Sequence, residues 1–209
     1  MDGLVFYKLM RILRSILLKS RLNKVTVEDD FVYFSFYKDG VINLEYRAAP
    51  SPPIISPCQN ISGINPGALS ALQGAAVTDI GTFGYERCGF IEVKKRKASG
   101  KLSGYKLILE PAGNYANFLL LNDENIILYS LSSRTIDPDR NIGAGGKFSL
   151  PKANKRYGLN NFEGAKSFNG LSGFYPVTAA CADALLKNHS FGAVCAFIKE
   201  NLDNDDKFY

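Results

Sequence analysis

The chain has 209 residues, 46% of them hydrophobic and 22% charged, with 19 Gly and 9 Pro, a composition that excludes a disordered or fibrous protein. Lys+Arg 25 against Asp+Glu 20 leaves a formal charge of +5, too small to define a partner by itself, so its placement carries the information. His189 is the single histidine, and Cys58, Cys88, Cys181 and Cys195 form no CxxC pair; a multi-His metal site, a zinc ribbon and a thioredoxin motif are thereby excluded, no cofactor is called for, and the cysteines read as reduced, mostly buried thiols.

In chain order, Asp2 stands where a helix N-cap belongs, ahead of an amphipathic helix on which Leu9, Ile12, Leu13, Ile16 and Leu17 share one face. Lys8, Arg11 and Arg14 are displaced from that face and interrupt the apolar run, so a membrane span is not expected. A mitochondrial presequence shares this basic amphipathic character. Strands are expected at 24–28, 31–37 and 41–44, with Asp39-Gly40 as a hairpin turn. Residues 48–67, which include Pro50, Pro52, Pro53, Pro57 and Pro66, read as an extended loop, followed by a short helix from Ala68 to Gln73. Strands resume at 77–80, 89–93, 105–109, 117–121 and 126–129. Past Pro151 a polar connector with Lys152, Lys155 and Arg156 leads to helices expected at 161–168, 176–187 and 191–202, with Gly170-Leu-Ser-Gly173 as a hairpin between the first two. The fold class is therefore α+β, with a sheet domain over residues 1–151 and a helical module over 152–209.

The charge resolves into two basic clusters. The first 25 residues hold Lys8, Arg11, Arg14, Lys19, Arg21 and Lys24 against Asp2 alone. Lys94, Lys95, Arg96, Lys97, Lys101 and Lys106 form the second, on the connection around Ser99-Gly100, where a two-stranded ribbon would project its charges into solvent. Both fit contacts with a polyanion, and both fit plain solvated faces.

Three motifs carry candidate chemistry. At Phe168–Ala180 the glycines allow a tight turn, and Gly170, Gly173 and the amides of the next helix N-terminus can face a phosphate; a plain helical corner has the same composition. Glu86 and Arg87 are adjacent at the mouth of a strand and so point to opposite faces, with the Arg fork suited to phosphate or a base edge and the carboxylate to exocyclic amines; an exposed ion pair is the alternative. Ala112-Gly-Asn-Tyr-Ala-Asn117 is a glycine turn offering Asn114 and Asn117 as polar contacts, or a capped β-turn.

These elements in this order, from Asp2-Gly3 through Asn65-Pro66, Gly84-Tyr-Glu-Arg87, Asn117-Phe-Leu-Leu-Leu-Asn-Asp-Glu-Asn125, Arg140-Asn-Ile142 and Gly145-Gly-Lys-Phe-Ser-Leu-Pro151 to the segment Phe168–Ala180, resemble the NFACT family of ribosome quality-control factors (RqcH-type, often labelled fibronectin-binding proteins). The resemblance implies an N-terminal helix packed on a β-sandwich similar to that of formamidopyrimidine-type DNA glycosylases, followed by a helix-hairpin-helix module. It implies binding to tRNA and to the obstructed large ribosomal subunit carrying peptidyl-tRNA, in support of template-independent tailing of stalled chains in the cytoplasm. By motif, the tRNA contacts fall on Asp2, Glu86 and Arg87, with further phosphate contacts expected from Lys8, Arg11, Lys94, Lys95, Arg96, Lys97, Asn114, Asn117, Gly170 and Gly173. The chain departs from the family pattern in having Glu-Arg for Asp-Arg, Gly113-Asn114 for Gly-Arg, and Gln73 near an expected Arg. The family's coiled coil and RNA-binding domain are not within these residues, which fits a complete short protein, one part of a split factor whose separate chain carries those domains, or a piece of a longer chain.

Two other functions compete. A base-excision glycosylase is suggested by the shared fold alone, but its N-terminal proline nucleophile is replaced by Met1-Asp2-Gly3. A surface adhesin fits the fibronectin-binding label, but no signal peptide, anchor or disulfide framework is expected.

Overall fold

The computed structural model describes residues 2–48, 54–112, 116–133, 140–151, 155 and 157–204. Helix α1 (Gly3–Leu17) opens the chain, started by the Asp2 carboxylate, which accepts from the Leu4 amide at 3.1 Å. An N-cap of this kind satisfies one of the orphan amides of the first turn. The buried stripe is Leu4, Phe6, Met10, Leu13 and Leu17, while Ile16 is 43% exposed. The expected face is thus rotated: the helix is apolar on two neighbouring stripes, so periodicity alone does not choose between them.

Among the described residues nine strands follow: β1 (Arg21–Glu28), β2 (Phe31–Tyr37), β3 (Val41–Arg47), β4 (Ile54–Pro57), β5 (Ala75–Thr82), β6 (Gly89–Arg96), β7 (Leu102–Glu110), β8 (Asn117–Asn122) and β9 (Ile127–Ser130). All pair antiparallel in one sheet of order β4-β3-β2-β1-β5-β6-β7-β8-β9. The expected α+β class with an N-terminal helix on a β layer is found, the strands forming one continuous sheet, while the expected helix-hairpin-helix module is not shown. The sheet's halves are joined by the short pairing Arg21↔Ala76 and Leu22↔Ala75 between β1 and β5, and such a narrow seam lets the strongly twisted sheet turn back on itself. The halves meet through Phe34 on Phe118, ring centroids 5.7 Å apart, and through the Tyr46 hydroxyl, which donates to the Asn117 carbonyl at 3.1 Å. Phe6, Met10 and Leu17 of α1 join the same core.

Strand β4 falls within the segment expected to be a loop, because prolines dominate its surroundings. It is an edge strand on β3, the one place in a sheet where a proline such as Pro57 costs no central ladder bond. The expected short helix is α2 (Gly67–Ser70). The ribbon between β6 and β7 forms as expected, with Arg96 opposite Leu102 and the turn closed by the Gly100 amide donating to the Lys97 carbonyl.

After residue 155 the expected helix at 161–168 is absent. Gly164 sits at φ +85°, a left-handed conformation that ends any helix running through it, and only a 3-10 turn, Phe168–Gly170, is formed. The glycine hairpin is therefore flanked by a helix on one side only, α3 (Pro176–Leu185), followed by α4 (Phe191–Asp203). Leu159, Phe168, Leu171, Phe174, Ala179, Val194 and Leu202 form a separate core for this segment, and Leu4 of α1 reaches into it. A further cluster of Cys88, Ile108, Leu119, Leu121 and Ile127 lies under Ile142 and Phe148 of the 140–151 segment. Among the described residues no helix is long and apolar enough to cross a membrane.

Candidate functional site

The first turn of α1, the β5–β6 connection and the glycine hairpin converge at one point. Gly3 and Gly173 make this possible: a Cβ on Gly3 would lie 2.2 Å from the Tyr85 carbonyl oxygen and 2.8 Å from the Gly173 Cα. Gly173 itself has φ +88°, and a Cβ there would meet Tyr85 and Leu4 at 2.7 and 2.8 Å. The Leu4 amide also donates to the Gly173 carbonyl at 3.3 Å. Gly173 is thus a packing glycine, and Gly170 gives its amide to the Ser167 carbonyl at 3.2 Å.

Asp2, Glu86 and Arg87 are brought together here. Besides Leu4, the Asp2 carboxylate accepts from the Tyr175 amide at 3.2 Å and from the Thr178 hydroxyl. Tyr175 is the N-cap of α3, so one carboxylate closes two helix N-termini, each carrying partial positive charge. The anion position expected for a phosphate at this helix start is taken by the protein's own Asp2. Glu86, half-buried, accepts from the Ser172 hydroxyl at 2.6 Å and so ties the β5–β6 connection to the hairpin.

Arg87 lies over the Tyr175 ring, its guanidinium carbon 4.0 Å from the centroid. Its Nε is buried without a hydrogen-bond partner among the described residues. Lys155 approaches the same ring at 4.8 Å and donates to the Phe174 carbonyl. Burial lowers the Lys155 pKa; the charges of Glu86 and Asp2 pull it up and that of Arg87 pushes it down. Sequence reasoning does not single out Lys155, Ser172, Tyr175 and Thr178 as site residues, since only the folding of the hairpin onto α1 reveals them.

The other candidate contacts separate into two groups. Lys8 is 5% exposed, and its ammonium donates to the Asn201 carbonyl at 3.2 Å, the Leu202 carbonyl at 3.4 Å and the Asn204 carbonyl. It neutralises the negative end of α4, which corrects the expectation of a phosphate contact. Arg11 pairs with Asp203 at 3.3 Å and Arg14 with Asp79 at 3.1 Å. Asn117 is also corrected: it is 2% exposed, its amide donates to the Ser132 carbonyl at 2.9 Å, and its side-chain oxygen accepts from the Phe118 and Ser132 amides at 2.9 and 3.0 Å. Asn114 lies outside the described residues.

On the β6–β7 ribbon Lys94, Arg96, Lys97 and Lys101 are exposed, and none has an ion-pair partner among the described residues. Lys95 is half-buried and donates to the Ala71 carbonyl at 2.8 Å, and Lys106 pairs with Glu92 at 3.1 Å. Beneath the segment that starts at Arg140, Glu110 is buried and receives the Arg140 guanidinium, one bond at 3.2 Å and a second to the other carboxylate oxygen. The Cys88 thiol lies 3.8 Å from the same carboxylate.

A helix capped onto a folded nine-stranded antiparallel sheet, with a small helical segment locked to its N-terminus, defines the structural class. Residues 2–196 match the model of the NFACT N-terminal and middle domains, and the chain belongs to that family. No curated protein matches it in sequence. Among solved structures, the fibronectin/fibrinogen-binding protein N-terminal region from Streptococcus suis superposes with a TM-score of 0.82 at 17% identity, over 95% of this chain and 84% of that one. The fibrinogen-binding protein from Staphylococcus aureus gives 0.79 at 16% identity, over 98% and 83%. The N-terminal domain of fibronectin-binding protein PavA from Streptococcus pneumoniae gives 0.76 at 19%, over 96% and 84%. At these identities the likeness is one of fold.

Proposed function

We propose that the chain is a non-catalytic RNA-binding module of a ribosome quality-control factor, made of a sheet domain over 1–151 and a helical module over 152–209. It acts in the cytoplasm and binds tRNA and the obstructed large subunit carrying peptidyl-tRNA, so that a stalled chain can be extended without a template. The observation that carries this reading is the β6–β7 ribbon, where Lys94, Arg96, Lys97 and Lys101 stand in solvent without carboxylate partners among the described residues, as a phosphate-binding surface requires. Membership of the NFACT family supports it. The names of the structural neighbours are properties of those proteins and do not bring fibronectin or fibrinogen to this chain.

The test is retention of tRNA and of purified obstructed large subunits at low salt, with Arg87→Ala alongside. The unmutated chain is expected to bind both, with affinity falling steeply as salt is added. Equal, negligible binding by both proteins would sink the reading.

A further inference from the structure

The sequence Phe31-Val-Tyr-Phe-Ser-Phe-Tyr37 gives β2 aromatic side chains on both faces. Phe34 and Phe36 enter the core with Val32. Strand alternation puts Phe31, Tyr33 and Tyr37 on the opposite face, where none of them belongs to a hydrophobic cluster among the described residues. Phe31 and Tyr33 are half-buried, their ring centroids 6.0 Å apart and their planes within 12°, and Tyr37 is 51% exposed. The outward face of an antiparallel sheet is ordinarily polar, so the core does not account for these three rings. The register sets a cation beside the strip at both ends and in the middle: Arg21 opposite Tyr37, Lys24 opposite Ser35 and Arg47 opposite Phe31. None of the three has an ion-pair partner among the described residues. The Arg47 guanidinium carbon lies 5.5 Å from the Phe31 centroid, with Nε buried and without a hydrogen-bond partner among the described residues. Arg21 and Lys24 are exposed. Two carboxylates share the face and are held by hydroxyls, Glu45 by Ser56 at 2.9 Å and Glu28 by Ser62.

We propose that the outward face of β1, β2 and β3 is a platform for single-stranded RNA, with bases stacking on Phe31, Tyr33 and Tyr37 and phosphates running past Arg21, Lys24 and Arg47. Alternate residues of a strand recur about every 6.6 Å, so Phe31 and Tyr33 stand one step apart and Tyr37 two steps further on. Successive rings can each receive one base of an extended strand. Every base has a π-face, and stacking on aromatic side chains beside a line of cations is how single strands are held. A duplex has its bases already stacked on one another and offers no such face. The ligand therefore differs from that of the β6–β7 ribbon, whose tip, Lys97 to Lys101, carries cations and no ring. Arg47 serves twice, as a planar surface lying over Phe31 and as a donor to phosphate. Glu45 stands opposite Tyr33, where a carboxylate can accept from the exocyclic amine of cytosine or adenine and finds no such donor on uracil. Asp29 and Asp30, in the turn ahead of Phe31, repel phosphate and bound the platform at that end.

The class of ligand rests on the RNA-binding reading, and the experiment keeps the two apart. Unstructured eight-nucleotide oligocytidylate and oligouridylate are titrated into the full chain at neutral pH and low salt, with tRNA alongside. Oligocytidylate is expected to move the ring resonances of Phe31, Tyr33 and Tyr37 and to bind more tightly than oligouridylate. Tyr33→Val keeps a strand-forming residue and should weaken that binding about fivefold or more, whereas Tyr33→Phe, which keeps the ring, should stay within about twofold. Tyr37→Ser, at a position already half in solvent, provides a second loss of stacking with the core untouched. Arg47→Gln should lower the slope of log affinity against log salt by about 0.7, the single-strand value for one phosphate. Rings that both oligonucleotides leave unmoved, or full affinity in both Tyr33→Val and Tyr37→Ser, overturn the platform. Equal affinity for the two oligonucleotides overturns the part given to Glu45. If tRNA is retained while the rings stay unmoved, the platform falls and the RNA reading stands. If the rings respond while tRNA and obstructed subunits are not retained, the platform stands and the ribosomal reading falls.

Discussion

On α1 the basic side chains are spent inside the protein: Lys8 closes the carbonyl end of α4, while Arg11 and Arg14 pair with Asp203 and Asp79. On the β6–β7 ribbon Lys94, Arg96, Lys97 and Lys101 extend into solvent, with no carboxylate in reach among the described residues. A count of charges treats the two clusters alike. What separates them is the partner that the fold brings to each. A helix C-terminus and two carboxylates arrive at α1, whereas a projecting two-stranded ribbon has nothing beyond it. Lys8, Arg11 and Arg14 of α1 therefore contribute to stability and the four exposed cations of the ribbon are left to bind; Lys19, Arg21 and Lys24, beyond the helix, are exposed without a carboxylate partner among the described residues and follow the ribbon in this.

Substitutions can break this contrast, and the largest effect belongs to the charge pair buried most deeply. Arg140→Ala leaves Glu110, whose side chain is only 2% exposed, without its counter-ion, and removing one partner of a buried pair costs about 3–5 kcal/mol. Urea unfolding is expected to show that destabilisation, and a change near that of a surface substitution would mean the pair is hydrated in solution. Lys8→Met keeps the buried stem but removes the cation from the end of α4, at a cost of about 2 kcal/mol. The matching change on the ribbon, Lys97→Gln, should stay within about 0.5 kcal/mol in the same measurement.

A smaller effect comes from pH. Burial, reinforced by the charge of Glu110, pushes the Cys88 thiol well above its ordinary 9.0. Burial and Glu110 push the Tyr46 hydroxyl up from its ordinary 10.0 in the same way. Both groups ionise in the unfolded chain before they do so in the folded one, so the stability they contribute is complete below those ordinary values and is lost as pH rises through the folded ones. Lys155, whose pKa is lowered, has the opposite sign, because the folded chain binds its proton less tightly and gains stability as pH climbs toward the ordinary lysine value. Two buried groups raised far outweigh one partly buried group lowered modestly. The denaturation midpoint is expected to fall once pH exceeds the ordinary thiol value, and in Cys88→Ala the fall over the thiol range should be shallower, what remains there coming from Cys58 and Cys195, whose thiols burial also raises. A midpoint flat across this range would show that Cys88 is solvated.

Much of the fold is legible in the sequence because local rules and tertiary structure agree. Asp2 is the N-cap that its position indicates, Asp39-Gly40 turns a hairpin, and the strands from Ala75 onward lie on their expected apolar cores, up to four residues longer, with the last shifted by one residue. Three features are hidden for separate reasons. Strand β4 draws its stability from pairing with β3 and not from its own proline-rich sequence. The segment 161–168 has helical composition, but Gly164 takes a left-handed φ, and a glycine's choice of hand is not written in its neighbours. The fate of Lys8 depends on carbonyls some 193 to 196 residues away, a separation no local pattern spans. The candidate site follows the same division. Motif order names Asp2, Glu86 and Arg87 as candidates, whereas their meeting, Asp2 filling the helix N-terminus and Lys155 joining Arg87 depend on how the hairpin docks against Gly3.

The most direct test of the contrast between the clusters is the salt dependence of tRNA binding in two variants. Replacing Lys94, Arg96, Lys97 and Lys101 together by Gln should lower the slope of log affinity against log salt by about three, at about 0.7–0.9 for each phosphate left unneutralised, while Lys8→Met should leave the slope unchanged. A slope lowered by Lys8→Met and untouched by the ribbon variant would contradict the account.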